Sequence, residues 1–386
     1  MDFNFREEPS LERAVTFILN KNKPIYNWFY FKEGFSREFV DYCIGKYDLK
    51  GVIADPFCGS GTTLLAAKER GFDAVMGIDV SPLACFVSRV KTRNYDFENL
   101  KKEFSNLKSL NPEYKGEMPR QKWIREYFYS RSLANILFYK EEIEKIGDEK
   151  ARDFFKLALV YATDMAANAI KQGGSLRREK KPPIPVKHLF LRKAKWMIRD
   201  LQKADAQGCF SPGFSAEKAD EKFLTSEEPE VIQADSRIFE FGEEGIDAVI
   251  TSPPYLNKIE YTSVYKIELA LFFEQQETQL RSFISDNTRE VGSSSIAVEN
   301  AYFSDMKKVM ENIYKGMKKG GTAIIELAGG CFPDRNVEAD EKMAGISQDI
   351  GFECKEIVAA RTIQCHRERT FKTGTVRESL VVLEKK

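Results

Sequence analysis

Apolar positions along the chain follow two regimes. From 51 to 90, in GVIADPFCGSGTTLLAAKERGFDAVMGIDVSPLACFVSRV, short apolar runs alternate with helix-spaced stretches. The pattern predicts a strand (51–54), a glycine-bearing loop (55–61), a helix (62–70), a strand (74–78) and, after a loop, a helix (82–90). Such a βαβα unit demands a parallel sheet with right-handed crossovers. From about 95 to 228 the alternation stops, and charged segments with helical spacing dominate: FENLKKEFSNLKSL, SLANILFYKEEIEKI and ARDFFKLALVYATDMAANAI. It resumes with EVIQADSRIF (230–239), IDAVITSPPY (246–255), a helix-like KKVMENIYKGM (307–317) and a strand TAIIEL (322–327). CKEIVAARTIQ (354–364) and RESLVVLEK (377–385) read as two strands of a hairpin or of an antiparallel sheet edge. Upstream lie a helical pattern around Leu11 to Leu19, the aromatic stretch YNWFYF (26–31) and REFVDYCIGKY, a helix with Ser36 as its N-cap. The serine-rich DNTREVGSSSIAVENAYFS (286–304) reads as a mobile loop.

The simplest architecture is one doubly wound, mostly parallel α/β domain interrupted by a largely helical insertion. Residues 1–95 would carry N-terminal helices and the first half of the sheet domain, 96–228 the insertion, and 229–386 the second half. A chain of 386 residues with 42% hydrophobic and 31% charged positions is globular in composition. It has no apolar run of 18 residues and no basic start followed by an apolar segment, so we expect neither membrane span nor signal peptide, and a cytoplasmic protein. Seven cysteines, an odd number without a CxxC pair, suggest reduced thiols rather than a disulfide framework or zinc site. Two histidines, His188 and His366, cannot supply a histidine dyad or a multi-histidine metal centre, so no metal is expected.

Two short stretches carry chemistry. Gly59 and Gly61 fall at the first strand-to-helix turn, where backbone can approach a ligand at a helix N-terminus. The next strand ends in Asp79, and an acid at that point of a doubly wound sheet accepts hydrogen bonds from ribose hydroxyls. A helix N-cap before SPLA is the plainer alternative. The loop is neither a GxGxxG nor a phosphate-binding loop with a Lys-Ser/Thr ending, so a nucleoside ligand without pyrophosphate suits it better. The second stretch is TSPPYLNKIEY (251–261), after an apolar strand. Two prolines could simply end that strand.

Together, DPFCGSGTT (55–63) and TSPPY (251–255) resemble the paired signature of S-adenosylmethionine-dependent methyltransferases acting on exocyclic amino groups of nucleic-acid bases, the adenine-N6 and cytosine-N4 family. The likeness covers about 51–95 and 230–330 and leaves the insertion outside. It implies a Rossmann-like methyltransferase sheet with S-adenosylmethionine as cofactor. It also implies that Asp55, Pro56, Phe57, Gly59, Gly61 and Thr62 line the cofactor, with Asp79 on the ribose. Asp235 resembles the acid that reaches the adenine amino group, although it could equally cap a short turn. An exocyclic amine is a poor nucleophile because its lone pair is delocalised into the ring. Acceptors must therefore draw its hydrogens into a geometry that frees the lone pair. By the family pattern, the Ser252 hydroxyl and the Pro253 carbonyl accept those hydrogens, Pro254 stiffens the loop, and Tyr255 stacks on an extruded base. Serine at the first position leans toward cytosine N4.

Residues 171–199 hold ten Lys or Arg and one acid, Glu179, within a chain whose 59 basic and 59 acidic residues balance. Glycines and prolines break any helix through 173–185. Arg177, Arg178, Lys180, Lys181 and Lys187 are thereby candidate phosphate contacts. The RQKWIREYFYSR cluster, with Trp123, Tyr127, Phe128 and Tyr129, either stacks bases or forms the buried face of a helix. The expected partner is nucleic acid, DNA ahead of a structured RNA such as ribosomal RNA, with no membrane; oligomeric state is open. Other readings are an adenine-N6 enzyme, a guanine-N2 transfer-RNA enzyme, a catalytically inactive nucleic-acid binder on the same fold, and a metabolic Rossmann enzyme.

Overall fold

A mixed sheet of eight strands organises the protein, whose computed structural model describes residues 3–172, 175–206, 227–256, 261–274, 294–365 and 374–386. In chain order the strands are β1 (Phe5–Glu7), β2 (Val52–Asp55), β3 (Ala74–Asp79), β4 (Ala169–Gln172), β5 (Ser175–Arg178), β6 (Glu230–Gln233), β7 (Ile246–Thr251), β8 (Met317–Ala328), β9 (Gly330–Cys331), β10 (Asn336–Val337), β11 (Phe352–Cys365) and β12 (Gly374–Lys385). The central sheet runs β1-β11-β12-β8-β7-β2-β3-β6. β6, β3, β2, β7 and β8 are mutually parallel, and β12 runs antiparallel between β8 and β11. The apolar centres of these strands, Ile53, Ala54, Val249 and Ile250, are fully buried, as a parallel sheet covered on both faces requires. The expected doubly wound α/β, Rossmann-like fold is therefore present.

The helical segments between β3 and β6 include Phe97–Ser109, Ser130–Glu144, Glu149–Ala166 and Val186–Ala206. Their apolar faces share one core with Tyr26, Trp28 and Phe29 of the N-terminal stretch and with Leu65, Val87 and Val90 beside the sheet.

Several expectations are corrected. The Leu11–Leu19 pattern gives 3-10 turns, Pro9–Leu11 and Phe17–Asn22, because Thr16 between them is extended and its hydroxyl accepts from the Ile18 N–H. Ser36 has N-cap backbone geometry, but its hydroxyl turns to the Thr16 carbonyl; Asn20 Oδ1 accepts the Arg37 N–H at 3.0 Å instead. The predicted helix ends at Ala166, and Ala169 and Ile170 belong instead to β4, which pairs antiparallel with β5. The strand begun at 230 stops at Gln233, where a turn follows. The predicted mobile loop 286–304 is helical from Ser295, within a helix to Gly316 capped by the Ser294 hydroxyl; 286–293 lie outside the described residues. The two tail strands do pair antiparallel, but β1 adds in parallel to β11, so β11 is not the edge. Cys331 and Cys365 form a disulfide, contrary to the expectation of reduced thiols throughout; Cys43, Cys58, Cys85 and Cys354 are free. No described helix is long and apolar enough to cross a membrane.

Candidate active site at the carboxyl ends of the central strands

Strand order reverses between β2 and β7: successive strands β2, β3 and β6 lead one way, and β7 and β8 the other. In open α/β sheets the crevice beyond the carboxyl ends at such a switch point is where ligands bind. Asp55 ends β2, Asp79 ends β3 and Thr251 ends β7, so the loops that follow converge there.

The loop after β2 is held from several sides. Thr251 Oγ1 donates to Asp55 Oδ1 at 2.6 Å, and the Phe57 N–H bifurcates between that oxygen (3.1 Å) and Thr251 Oγ1 (3.2 Å). The Pro56 carbonyl accepts the Ser236 hydroxyl at 2.5 Å, and the Gly59 carbonyl accepts that of Ser88 at 2.9 Å. Gly61 has φ of 77°, and a Cβ there would press on Ser88 within 3.0 Å, so only glycine fits without strain. Gly59 lies under the ring of Phe31, which a Cβ would meet at 3.1 Å. Phe31 is in turn stacked on Tyr265, with centroids 5.5 Å apart. Thr62 is buried, and its hydroxyl accepts from Asn20 Nδ2 at 3.4 Å.

Asp79 joins two elements. Its Oδ2 accepts the Gly59 N–H at 3.0 Å and its Oδ1 the Ser81 N–H at 2.8 Å, while the cap of the Pro82–Thr92 helix itself is the Ser81 hydroxyl. Burial pushes the Asp79 and Asp55 carboxyls up, each to about 6. Two acids with raised pKa in one crevice favour a cationic ligand, whose charge restores what burial took away. The Phe31 ring packs directly on the Gly59 backbone, which is why the loop needs glycine there. These features fit a ribose-bearing sulfonium such as S-adenosylmethionine.

The second loop, Ser252–Tyr255, leaves β7 beside this crevice. Pro253 is buried, whereas Ser252, Pro254 and Tyr255 are partly exposed. The Tyr255 hydroxyl is 2.8 Å from both carboxyl oxygens of Glu326 on β8 and 2.7 Å from Glu378 Oε1 on β12. Arg361 Nε on β11 donates to Glu378 Oε2. Glu326 and Glu378 are 1% and 2% exposed, so this is a buried acid pair directly behind the loop. Burial, then the neighbouring Glu378 charge, pushes Glu326 up to about 8. Pattern reading missed both glutamates. The available signal was an acid inside each of two apolar strands, TAIIELA and RESLVV.

Asp235 follows β6 at the crevice side and caps its own turn. It accepts the Arg237 N–H at 2.9 Å, and Arg237 Nη2 reaches its Oδ2 at 2.7 Å while Nη1 reaches Asp305. The basic segment divides. Arg177 and Arg178 are exposed on β5, near Glu179 (2.6 Å) and Glu126 (3.6 Å), and Lys180 is also exposed. Lys181 is half-buried; the Lys187 ammonium donates to the Leu110 carbonyl, and Lys171 is half-buried and paired with Glu268 and Asp164. In the aromatic cluster, Tyr127 and Phe128 belong to the core with Trp123 packed against it, and the Tyr129 hydroxyl donates to the Lys181 carbonyl. Of the two readings for that cluster, Tyr127 and Phe128 follow the buried-face one.

No protein-family model matches the chain. It is 28% identical over 281 residues to the Type II methyltransferase M.BsoBI of Geobacillus stearothermophilus, a match covering 67% of this chain and 54% of that protein. The chain thus spans about half the length of that relative. To the Type II methyltransferase M.AvaI of Nostoc sp. it is 26% identical over an alignment of 421 positions, covering 92% of this chain and 85% of the relative. Among solved structures, a SAM-dependent methyltransferase from Methanosarcina mazei aligns over 89% of this chain and 96% of its own, with 9% identity and a TM-score of 0.32.

Proposed function

We propose that the protein is an S-adenosylmethionine-dependent methyltransferase of an exocyclic base amine, with DNA as substrate and cytosine N4 as the acceptor atom. The observation that carries this reading is the convergence of the Asp55–Gly61 loop, Asp79 and the Ser252–Tyr255 loop at one switch-point crevice. Similarity to two proteins named Type II methyltransferases supports methyl transfer and favours DNA over RNA.

When bound, S-adenosylmethionine supplies an electrophilic methyl group on a sulfonium centre. Asp79 accepts the ribose hydroxyls, and the Asp55 carboxylate and loop backbone, from Pro56 through Thr62, face the methionine end. Asp235, engaged by Arg237, stiffens the turn at the adenine end and offers its outer oxygen lone pairs to the amino group. The Ser252 hydroxyl and the Pro253 carbonyl accept the two amine hydrogens, Pro254 keeps the loop rigid, and the Tyr255 ring receives the base. Residues 96–228 read the nucleic acid, with Arg177, Arg178 and Lys180 on phosphates and Lys181 beside them. Lys187, turned to a carbonyl, contributes positive potential rather than a direct contact.

The test is methyl transfer from labelled S-adenosylmethionine to cellular DNA and, separately, to ribosomal RNA, followed by nucleoside mass spectrometry. Label in N4-methylcytosine of DNA is the expected result. Label in N6-methyladenine would move the acceptor atom, label in RNA would replace the substrate, and binding without transfer would leave a nucleic-acid binder.

A further inference from the structure

The Val186–Ala206 helix sorts its residues by face. Val186, Leu189, Phe190, Ala194, Met197 and Leu201 enter the core shared with the other helices, so no apolar face remains to lie in a bilayer. At 3.6 residues per turn, His188, Arg192, Lys195, Trp196, Arg199 and Lys203 fall within an arc of about 100° on the opposite side. Five of these are exposed and Arg192 is partly so. Asp200 is turned away from this stripe and accepts the Trp28 indole N–H at 3.0 Å. Among the described residues, Arg192, Lys195 and Arg199 have no ion pair, whereas on β5 Arg177 and Arg178 lie 2.6 and 3.6 Å from Glu179 and Glu126. Trp196 is 45% exposed, and the Arg192 guanidinium carbon lies 5.2 Å from its ring centre. The indole holds that guanidinium in place while no acid neutralises it.

We propose that this stripe is the surface on which the sugar-phosphate backbone of duplex DNA docks, with Arg192, Lys195 and Arg199 on phosphates and Trp196 bracing Arg192. This rests on the reading of DNA as substrate and names a surface separate from the β4–β5 hairpin. From Arg192 to Lys203 the helix rises about 17 Å, the axial length of about five base pairs, so its cations meet a run of phosphates rather than one. Such contacts fix the position of the duplex without reading its bases. The inner side of the same helix ties it to the crevice. Lys193 donates to the Asn27 carbonyl at 3.1 Å, beside the Trp28–Asp200 bond. Phe31, three residues beyond Trp28 and so no more than about 11 Å along the chain, packs on Gly59 of the loop after β2. One duplex can therefore lie on the stripe and present a base to the crevice.

Fluorescence anisotropy of labelled duplexes of about 30 base pairs and unrelated sequence, titrated with the full chain from about 50 to about 200 mM salt, tests this. The triple change Arg192→Gln, Lys195→Gln and Arg199→Gln should weaken binding of every duplex at least about tenfold. It should also flatten the slope of log affinity against log salt by about 2.7, at about 0.9 for each phosphate contact. Lys50→Gln, Lys355→Gln and Lys386→Gln together remove the same charge at the amino ends of the central strands, opposite the crevice, and should move the slope by less than about one. Trp196→Ala should weaken binding about threefold, and Trp196→Phe, which keeps a ring under Arg192, should stay near wild type. Affinity and slope unchanged by the triple change, or changed as much by the control, would overturn the docking surface while leaving methyl transfer intact. Wild type that binds phosphatidylserine vesicles and no duplex would overturn it as well. Wild type that transfers label to neither DNA nor RNA, yet loses duplex affinity through the triple change, would remove the enzymatic reading and keep the docking surface. Unchanged melting temperature and calorimetric S-adenosylmethionine binding in each variant separate lost contacts from misfolding.

Discussion

Tyr255 is tied at one end and open along its ring, and the two ends predict different consequences. Its hydroxyl is the donor to the buried Glu326 and Glu378 pair, whereas the ring is partly exposed at the crevice. Tyr255→Ala should lower methyl transfer by the worth of one base-stacking contact, about 1–3 kcal/mol, and leave S-adenosylmethionine affinity nearly intact by calorimetry. Tyr255→Phe keeps the ring but removes the phenolic donor from the buried acid pair, leaving Arg361 on Glu378, which should cost about 1–3 kcal/mol of stability in a denaturant titration. Asp79 offers a second separation. With its carboxyl raised to about 6 by burial, the ionised form, which we propose accepts the ribose hydroxyls, is depleted below that pH. Cofactor affinity should therefore fall as pH drops through 6, by up to tenfold per unit. Asp79→Ala should bind weakly at every pH; unchanged calorimetric binding would remove Asp79 from the ribose role.

Among elements, the loop after β2 shows how rigidity is assembled from parts distant in sequence: Thr251, Ser236 and Ser88 each supply a hydroxyl to it. Gly61→Ala introduces a side chain at φ 77° against Ser88, which should cost more than the about 1 kcal/mol of an ordinary left-handed alanine and lower the melting temperature. Local pattern disclosed the strand–loop–helix order here because β2 and β3 are buried runs bounded by glycine and aspartate, signals contained in a dozen residues. It also marked out the two loops that meet at the crevice, for the same reason. What it left hidden depends on partners far along the chain. β1 is three residues long and is a strand only because β11 offers it an edge. The Leu11–Leu19 periodicity yields to one extended threonine. Ser294, in a segment that looks like loop, begins a helix of 22 residues because its hydroxyl accepts the Ala297 N–H, and Tyr302, Met306, Val309 and Ile313 then bury one face. Glu326 and Glu378 become a pair only when β8 and β12 lie side by side with Leu380 opposite Glu326.

At the scale of the whole molecule, buried carboxyls make stability depend on pH in an uncommon direction. Glu326 is raised to about 8, Glu69 to about 7, and Asp55 and Asp79 to about 6. A group whose folded pKa exceeds its unfolded value binds more protons when folded, so its contribution is greatest below the unfolded pKa and is lost as pH rises through the folded one. For Glu326 the window runs from 4.5 to about 8. The melting temperature of Glu326→Gln relative to wild type should accordingly be higher at pH 9 than at pH 6. A difference constant with pH would contradict the raised carboxyl. Charge is likewise uneven: 59 basic and 59 acidic residues cancel overall, yet Arg177, Arg178 and Lys180 are exposed within four positions of one another. Replacing all three with alanine should flatten the salt dependence of DNA binding by up to about three counterions, read as the slope of log affinity against log salt.

The core that joins the helices between β3 and β6 to the N-terminal aromatic stretch constrains how such a protein can be recombined. Trp28 donates its indole N–H to Asp200 at 3.0 Å and packs edge-on against Phe154, so one side chain ahead of β2 fastens two helices that lie more than a hundred residues later. A crossover that exchanged residues 97–206 alone would strand that tryptophan and open the hydrophobic seam around Tyr26 and Phe29. The transplantable cassette is therefore discontinuous: it includes the stretch around 25–29 as well as the helices, and a chimera that carries both pieces should fold where one that carries only the helices should not.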